Sequence, residues 1–147
     1  PLQSNKTAEI AAHFDWVHGI DRLKIATRLD AQRPAHLAPL QVCIQVNLSQ
    51  EDSKSGVTLQ DTAALCRQVA QLPNLRLRGL MAIPAPCEDP LEQRAVFRPL
   101  AELYRDLQQH YPQMDTLSIG MSSDFVAAIA EGSTLVRVGS AIFGARA

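Results

Sequence analysis

Two short loops rich in glycine and serine are the segments of this sequence best suited to bind an anion. The first is residues 118–124 (SIGMSSD) and the second is residues 137–144 (RVGSAIFG). Each follows an apolar segment typical of a strand and opens a segment typical of a helix. Glycine lets the backbone approach a ligand closely, and serine hydroxyls lie there beside the unpaired N–H groups of a helix N-terminus. For either loop alone, a serine that caps the helix is the simpler interpretation.

The order of the two loops favours phosphate as the anion. Parallel α/β barrels frequently bind phosphate with the loops after their last two strands and the N-terminus of a short extra helix. The loops here are consecutive and lie at the end of the chain. Together they therefore predict a phosphate site at the carboxyl end of a parallel sheet.

Arg137 stands near the end of the last predicted strand and is the first residue of the second loop. A guanidinium group cannot lose its charge in a protein, so an arginine that points inward must meet an acceptor. An ion pair inside the mouth of a barrel is one way to provide that acceptor, and a bound ligand is another.

An alternation of predicted strands and helices would position these loops. Apolar segments predict strands, and segments with helical spacing separate them, the first helix opening with Asp21 as its N-cap and ending at Pro34. The predicted strands are 14–18, 42–48, 75–83, 116–120 and 134–138, and the later helices are 59–70, 91–107 with a kink at Pro99, and 124–130. Such alternation implies right-handed βαβ crossovers and a parallel sheet.

The fold class expected from this order is α/β, as the last five βα units of a partial (β/α)8 TIM-type barrel. Five units are too few to close an eight-stranded barrel. A small open doubly wound sheet is the alternative, but it needs its ligand loop at a switch point, and the glycine signals lie at the other end of the chain. We expect residues 1–147 to form one domain, the carboxyl-terminal part of such a barrel.

Composition narrows the possible partners. Fourteen basic and fifteen acidic residues give a net charge of -1, and the basic residues are scattered. This predicts neither a nucleic-acid partner nor a membrane partner. Three widely spaced cysteines, Cys43, Cys66 and Cys87, indicate reduced thiols in a cytoplasmic protein. No metal-ligand spacing and no catalytic arrangement of side chains is evident, so no metal and no catalytic residue are predicted.

Several motifs resemble those of the pyridoxal-phosphate homeostasis proteins. They are LQSNK at 2–6, SKSG at 53–56, GLMAI at 79–83 and the two glycine–serine loops. The resemblance spans essentially the whole chain in the correct order. It implies the fold of the alanine racemase N-terminal barrel, binding of pyridoxal 5′-phosphate (PLP), and delivery of this cofactor to PLP-dependent apo-enzymes without established catalysis.

The resemblance also implies roles for residues of the two loops. Ser122, Gly139 and Ser140 would hold the cofactor phosphate, and Gly120 and Met121 would shape the first loop. Arg137 would face the pyridine nitrogen and keep it unprotonated, which weakens the cofactor as an electron sink.

The lysines depart from the family pattern. The family holds its cofactor through a lysine in an S-K-T-K-P-like motif on an early strand, and this chain has only Lys6, Lys24 and Lys54. The chain therefore resembles a family member without the first three βα units of the barrel. Lys54 follows a strand on the ligand side and is either a secondary aldehyde-binding or transfer lysine or a solvated loop lysine.

Three alternatives to a cofactor carrier remain open. One is an amino-acid racemase-like PLP enzyme, which would need a cofactor lysine and a second acid/base. Another is a barrel enzyme that binds phosphosugars through the same loops. The last is an incomplete barrel without function, whose unpaired strand edge would tend to pair with another chain.

Overall fold

The computed structural model describes residues 2–49 and 55–144. After a 3-10 turn at Ser4–Lys6, the helices are α1 (Thr7–His13), α2 (Leu23–Gln32), α3 (Thr62–Ala70), α4 (Pro90–His110), α5 (Phe125–Ala130) and α6 (Ser140–Phe143). The strands are β1 (Trp16–Ile20), β2 (Leu40–Asn47), β3 (Val57–Thr58), β4 (Leu75–Ala82), β5 (Thr116–Met121) and β6 (Leu135–Arg137). Within the described part of the chain, no helix combines the length and the apolar character needed to cross a bilayer.

The strands form one parallel sheet in the order β1-β2-β4-β5-β6, with β3 paired beside the end of β2. A helix follows each of the five strands on the main path, which confirms the five predicted βα units. The strand order follows the chain without reversal, whereas a doubly wound sheet reverses at a switch point. The architecture is therefore an α/β half-barrel, part of a TIM-type barrel.

The two faces of the sheet differ in polarity because side chains alternate along a strand. On β2, Val42, Ile44 and Val46 pack in the apolar core beneath the helices. The intervening Cys43 and Gln45 belong to the opposite, inner face and are also buried. The inner face thus carries the polar groups that a ligand at the carboxyl end of the sheet could meet.

Polar side chains close the amino end of the inner face. Arg78 pairs with Asp115, and its Nη1 donates to Gln41 Oε1 at 2.7 Å. Its guanidinium lies 4.8 Å from the centre of the Trp16 ring, a cation–π contact. These contacts satisfy Arg78 at the end of the sheet opposite the two glycine–serine loops.

The first strand lies two residues later than predicted, at Trp16–Ile20 instead of 14–18. Phe14 is the C-cap of α1, and its N–H donates to the Ile10 carbonyl. The carbonyl of Phe14 accepts from Arg33 Nη1 at 2.7 Å. Phe14 therefore ends a helix. Its apolar side chain alone did not distinguish a helix end from the start of a strand.

Asp21 does not cap α2 as predicted. The N-cap position is Arg22, without a side-chain hydrogen bond, and Asp21 Oδ2 accepts from the Gly56 N–H at 3.2 Å. Asp21 thus ties the carboxyl end of β1 to the segment that leads into β3. The two-residue strand β3 itself was not predicted, and α4 continues as one helix through Pro99.

Two buried cysteines lie on opposite sides of the sheet. Cys43 is on the inner face of β2, and Cys66 on α3 packs in the core beneath the helices. Burial raises the pKa of both thiols to about 12. Both thiols are therefore neutral at physiological pH.

Candidate functional site

The loop after β5 is closed by reciprocal hydrogen bonds between its two ends. The Met121 N–H donates to Asp124 Oδ1 at 2.7 Å, and the Asp124 N–H donates back to the Met121 carbonyl at 3.1 Å. This arrangement resembles a capping box. Ser122 and Ser123 lie between these ends, and neither serine caps α5. The Ser122 hydroxyl is consequently available to other groups.

Gly120 sets the direction in which the chain leaves β5. Its φ is +105°, a conformation that favours glycine, and a Cβ there would lie 2.8 Å from the Ala128 Cβ. The missing side chain thus allows the end of β5 to turn against α5. This packing fixes the base of the first loop.

The loop after β6 has empty space beside its first glycine, Gly139. A Cβ added at Gly139 would meet no atom of the described structure within 4 Å. Ser140 begins α6, and the Ala141 N–H donates to Ser122 Oγ at 3.0 Å. This hydrogen bond joins the two loops, and Ser122 keeps its own hydroxyl hydrogen for donation to a ligand.

The joined loops enclose an open cleft of about 670 Å³. This volume lies within the range of about 300–1,000 Å³ that small-molecule sites occupy. The cleft is lined by Met121, Ser122, Ser123, Gly139, Ser140, Phe143 and Gly144. The helices behind it, with six and four residues, are short, so hydroxyls and loop amides dominate the polarity of the cleft over any helix dipole.

Arg137 reaches across the carboxyl end of the sheet. Its Nη2 donates to the Ala82 carbonyl at 2.8 Å and to the Ser118 carbonyl at 3.4 Å. The acceptors are therefore backbone carbonyls of β4 and β5. The sequence had suggested either an ion-pair partner or a bound ligand as the acceptor. The buried Nε has no partner among the described residues.

The charge of a neighbouring group and burial shift the pKa of Arg137 in opposite directions. Burial lowers the pKa of the Arg137 guanidinium, and the negative charge of Asp124 opposes that change. Because a guanidinium keeps its proton in a protein, Arg137 remains a cation at the carboxyl end of the sheet.

His18 and Ser118 lie on the same inner face as Arg137. His18 Nδ1 and Ser118 Oγ are 3.0 Å apart, and Ser118 has no exposed surface. Burial, and secondly the charge of Arg137, lowers the pKa of His18. The imidazole is therefore neutral near pH 7, and its ring can accept a hydrogen bond.

The structure brings four of the predicted residues, Met121, Ser122, Gly139 and Ser140, to one cleft. Gly120 lies on β5 at the base of the first loop, and Arg137 ends β6; neither lines the cleft. Lys54 falls outside the described residues.

Sequence reasoning missed His18 and gave no individual role to Ser118 and Asp124, although both lie in the first predicted loop. Ser118 precedes Gly120 by two positions on a strand, a spacing that assigns both to one face and could have revealed it. Asp124 could have been identified from its position three residues after the strand end, the spacing of a capping-box acid. His18 carried no local signal, because its partner is 100 positions away in the sequence.

Comparison with known proteins identifies one family and relatives that are similar along nearly the whole chain. The family model "Alanine racemase, N-terminal domain" matches residues 2–147. The Pyridoxal phosphate homeostasis protein of Escherichia coli K12 is 60% identical over 146 residues, which cover 99% of this chain and 62% of that protein. The chain thus spans about 62% of the length of this curated relative.

Solved structures agree with this assignment. PipY of Synechococcus elongatus PCC7942, described with PLP bound, superposes with a TM-score of 0.87 at 37% identity, covering 98% of this chain and 68% of PipY. The alanine racemase of Clostridium difficile 630 in complex with cycloserine shares the fold, with a TM-score of 0.75 at 12% identity over 99% of this chain and 40% of the racemase. The chain belongs to the alanine racemase N-terminal domain family.

Proposed function

We propose that this member of the alanine racemase N-terminal domain family binds PLP in the cleft between its two glycine–serine loops. Its role would be that of a cytoplasmic, non-catalytic carrier that delivers the cofactor to PLP-dependent apo-enzymes. The observation that carries the proposal is the junction of the two loops, 3.0 Å from Ala141 N to Ser122 Oγ. The buried Arg137 Nε at the end of β6, which has no partner among the described residues, supports it. The description of PipY with PLP bound and the name of the Escherichia coli relative support it.

The cleft fits the phosphate group of PLP. Phosphate oxygens accept hydrogen bonds, and the hydroxyls of Ser122 and Ser140 lie on the cleft as donors. The open space at Gly139 allows an oxygen to approach the backbone where a side chain would block it. These groups would hold the phosphate.

The inner end of the site fits the pyridine ring. A pyridine nitrogen without a proton is an acceptor, and Arg137 presents donors that include the unpaired Nε. Guanidinium at the ring nitrogen disfavours its protonation, so the site would suit storage of the cofactor better than carbanion chemistry. When bound, PLP supplies an aldehyde that reacts with amino groups, and Lys54 remains our proposed secondary lysine for it.

An amino-acid racemase-like activity is the second candidate, because the matching family model carries the racemase name. Such an enzyme needs a general acid and a general base in reach of the substrate. His18 is the one imidazole that the structure places beside Arg137 among the described residues, and it is hydrogen bonded to Ser118. Chiral chromatography of amino acids incubated with PLP-loaded protein tests this candidate: enrichment of the opposite enantiomer would replace the carrier proposal.

Titration of the protein with PLP, followed by fluorescence, tests binding at the cleft. Gly139→Val fills open space, so the urea midpoint should stay unchanged while the Kd for PLP rises by about tenfold or more, since forcing a group into a fitted site costs about 1–3 kcal/mol. Ala130→Val adds a comparable side chain at an exposed position of α5 and should leave both quantities unchanged. Equal PLP affinity in G139V and the parent protein would contradict the proposed site.

A further inference from the structure

The His18–Ser118 pair connects the first strand of the sheet to the arginine on its last strand. Ser118 is completely buried, and its hydroxyl has His18 Nδ1 as its only partner among the described residues. A buried hydroxyl needs an acceptor for its hydrogen. Nδ1 of a neutral imidazole supplies one, which places the imidazole proton on Nε2.

Ser118 in turn contacts Arg137. Its backbone carbonyl accepts from Arg137 Nη2 at 3.4 Å, the longer of the two hydrogen bonds that hold this group. Both bonds come from the same nitrogen, so the Ala82 and Ser118 carbonyls together orient Nη2. A shift of Ser118 would therefore move one of the two acceptors that hold the guanidinium.

We propose that His18 is a positioning residue that, acting through Ser118, holds the Arg137 guanidinium in place for the ring of the ligand, and that protonation of His18 loosens this hold. The inference rests on the proposed function, because it describes how the PLP site is regulated. Protonation puts a hydrogen on Nδ1, so the Ser118 hydroxyl loses its acceptor. It also creates a second cation next to Arg137.

The charged groups around His18 support a response to acid. Arg137 from β6 is the charge that acts on its pKa, and this effect adds to burial in lowering that pKa. Asp124, at the start of α5, acts on Arg137 with the opposite sign. Cys43 on β2 also lies within reach of Arg137, but its thiol is neutral because its pKa is raised to about 12.

The neighbouring strand β4 adds no further charge at this end. Arg78 is its inner-face cation, and it is paired with Asp115 and stacked over Trp16 at the amino end of the sheet. The described neighbours of His18 at the carboxyl end therefore leave Arg137 as the one cation that its protonation would oppose.

An NMR titration of the His18 ring tests the coupling without any ligand. The pKa of His18 should lie below its ordinary value of 6.5 and should rise in Arg137→Gln, since a like charge has been removed. Ser118→Ala should change the same titration, because the hydroxyl that favours a neutral ring is gone. An identical His18 titration in R137Q and the parent protein would overturn the positioning role.

PLP affinity measured by fluorescence between pH 5 and 8 tests the consequence for the ligand. In the parent protein the affinity should fall as the pH drops through the pKa of His18, which lies below 6.5. His18→Gln, whose carboxamide accepts the Ser118 hydrogen without titrating, should retain the neutral-pH affinity with a flatter profile. His18→Ala should bind about fivefold more weakly at pH 7.5, the effect of one lost hydrogen bond. The phosphate of PLP titrates in the same range but is common to all variants.

The controls separate this inference from the function on which it rests. His36→Gln removes an exposed histidine and should follow the parent profile throughout. If H18Q also follows the parent profile, His18 does not regulate the site, although the protein still binds PLP. If the parent protein binds no PLP at any pH, the proposed function and the ligand part of this inference both fall.

Discussion

At the scale of single residues, Gly120 does two things that another residue could not combine. It adopts a φ of +105°, and it leaves room for Ala128 of α5 against the end of β5. Gly132 has nearly the same φ, +108°, but faces open space. The pair therefore allows backbone strain to be separated from crowding.

Gly120→Ala should destabilise the protein more than Gly132→Ala. Each variant bears backbone strain of about 1–2 kcal/mol, and G120A adds about 1–3 kcal/mol because its Cβ would lie 2.8 Å from the Ala128 Cβ. Urea unfolding followed by circular dichroism measures both losses. Equal losses in the two variants would show that α5 moves away without cost.

The residue types of the site could be predicted, but their partners could not. Glycine and serine after two consecutive strands predict a phosphate site only because parallel α/β barrels frequently bind phosphate with the loops after their last two strands. The resemblance to a family added the ring-facing role of Arg137. The contact between His18 and Ser118 joins residues 100 positions apart, and only the curvature of the sheet brings them together.

At the scale of elements, one acidic residue fastens α5 to α4. Glu131 follows the end of α5, and its carboxylate accepts from Arg94 Nε at 2.9 Å and from Arg98 Nε at 3.0 Å. The first loop leads directly into α5, so this ion-pair network also holds the base of the cleft.

Glu131→Gln should lower the stability of the protein in a pH-dependent way. Hydrogen bonds from Arg98, and then from Arg94, lower the pKa of Glu131 below its ordinary value of 4.5. A carboxyl with a lowered pKa stabilises the fold above that value and loses this contribution as the pH falls. E131Q should therefore unfold at less urea than the parent protein at pH 7, and the difference should shrink below about pH 4.5.

The exposed Glu9 on α1 offers the matched control. E9Q should lower the urea midpoint at pH 7 less than E131Q does. A pH-independent difference between E131Q and the parent protein would mean that packing, and not charge, joins the two helices.

Element types followed from periodicity more reliably than element boundaries did. The strands β2, β4 and β5 are rich in apolar residues, and their predicted positions agree with the structure to within two residues. The first strand was misplaced because Phe14 is apolar yet ends a helix. The strand β3 has two residues, too few for any alternation to show.

At the scale of the whole molecule, the described sheet is open at both edges. Among the described strands, β1 and β6 each pair on one side only. Leu135 on β6 and Trp16 on β1 are 37% and 39% exposed, which is unusual for large apolar side chains on a parallel sheet. Open edges of this kind tend to pair with other chains.

A protein of residues 1–147 alone should therefore associate with itself as its concentration rises, and Leu135→Lys should weaken this association by placing a charge on the β6 edge. Sedimentation velocity over a range of concentrations measures the effect. Leu91→Lys changes an exposed leucine at the start of α4, away from both edges, and should associate like the parent protein. Identical behaviour of L135K and L91K would show that the β6 edge takes no part.

Because one buried cysteine lies on each side of the sheet, alkylation can report separately on the opening of the two layers of the molecule. An alkylating reagent attacks the thiolate, so neither Cys43 nor Cys66, with a pKa of about 12, reacts until its own surroundings open. The alkylation rate of Cys43 would then measure how fast the inner face opens. The alkylation rate of Cys66 would measure how fast the helices separate from the sheet. A ligand bound at the inner face should slow the first reaction and leave the second unchanged.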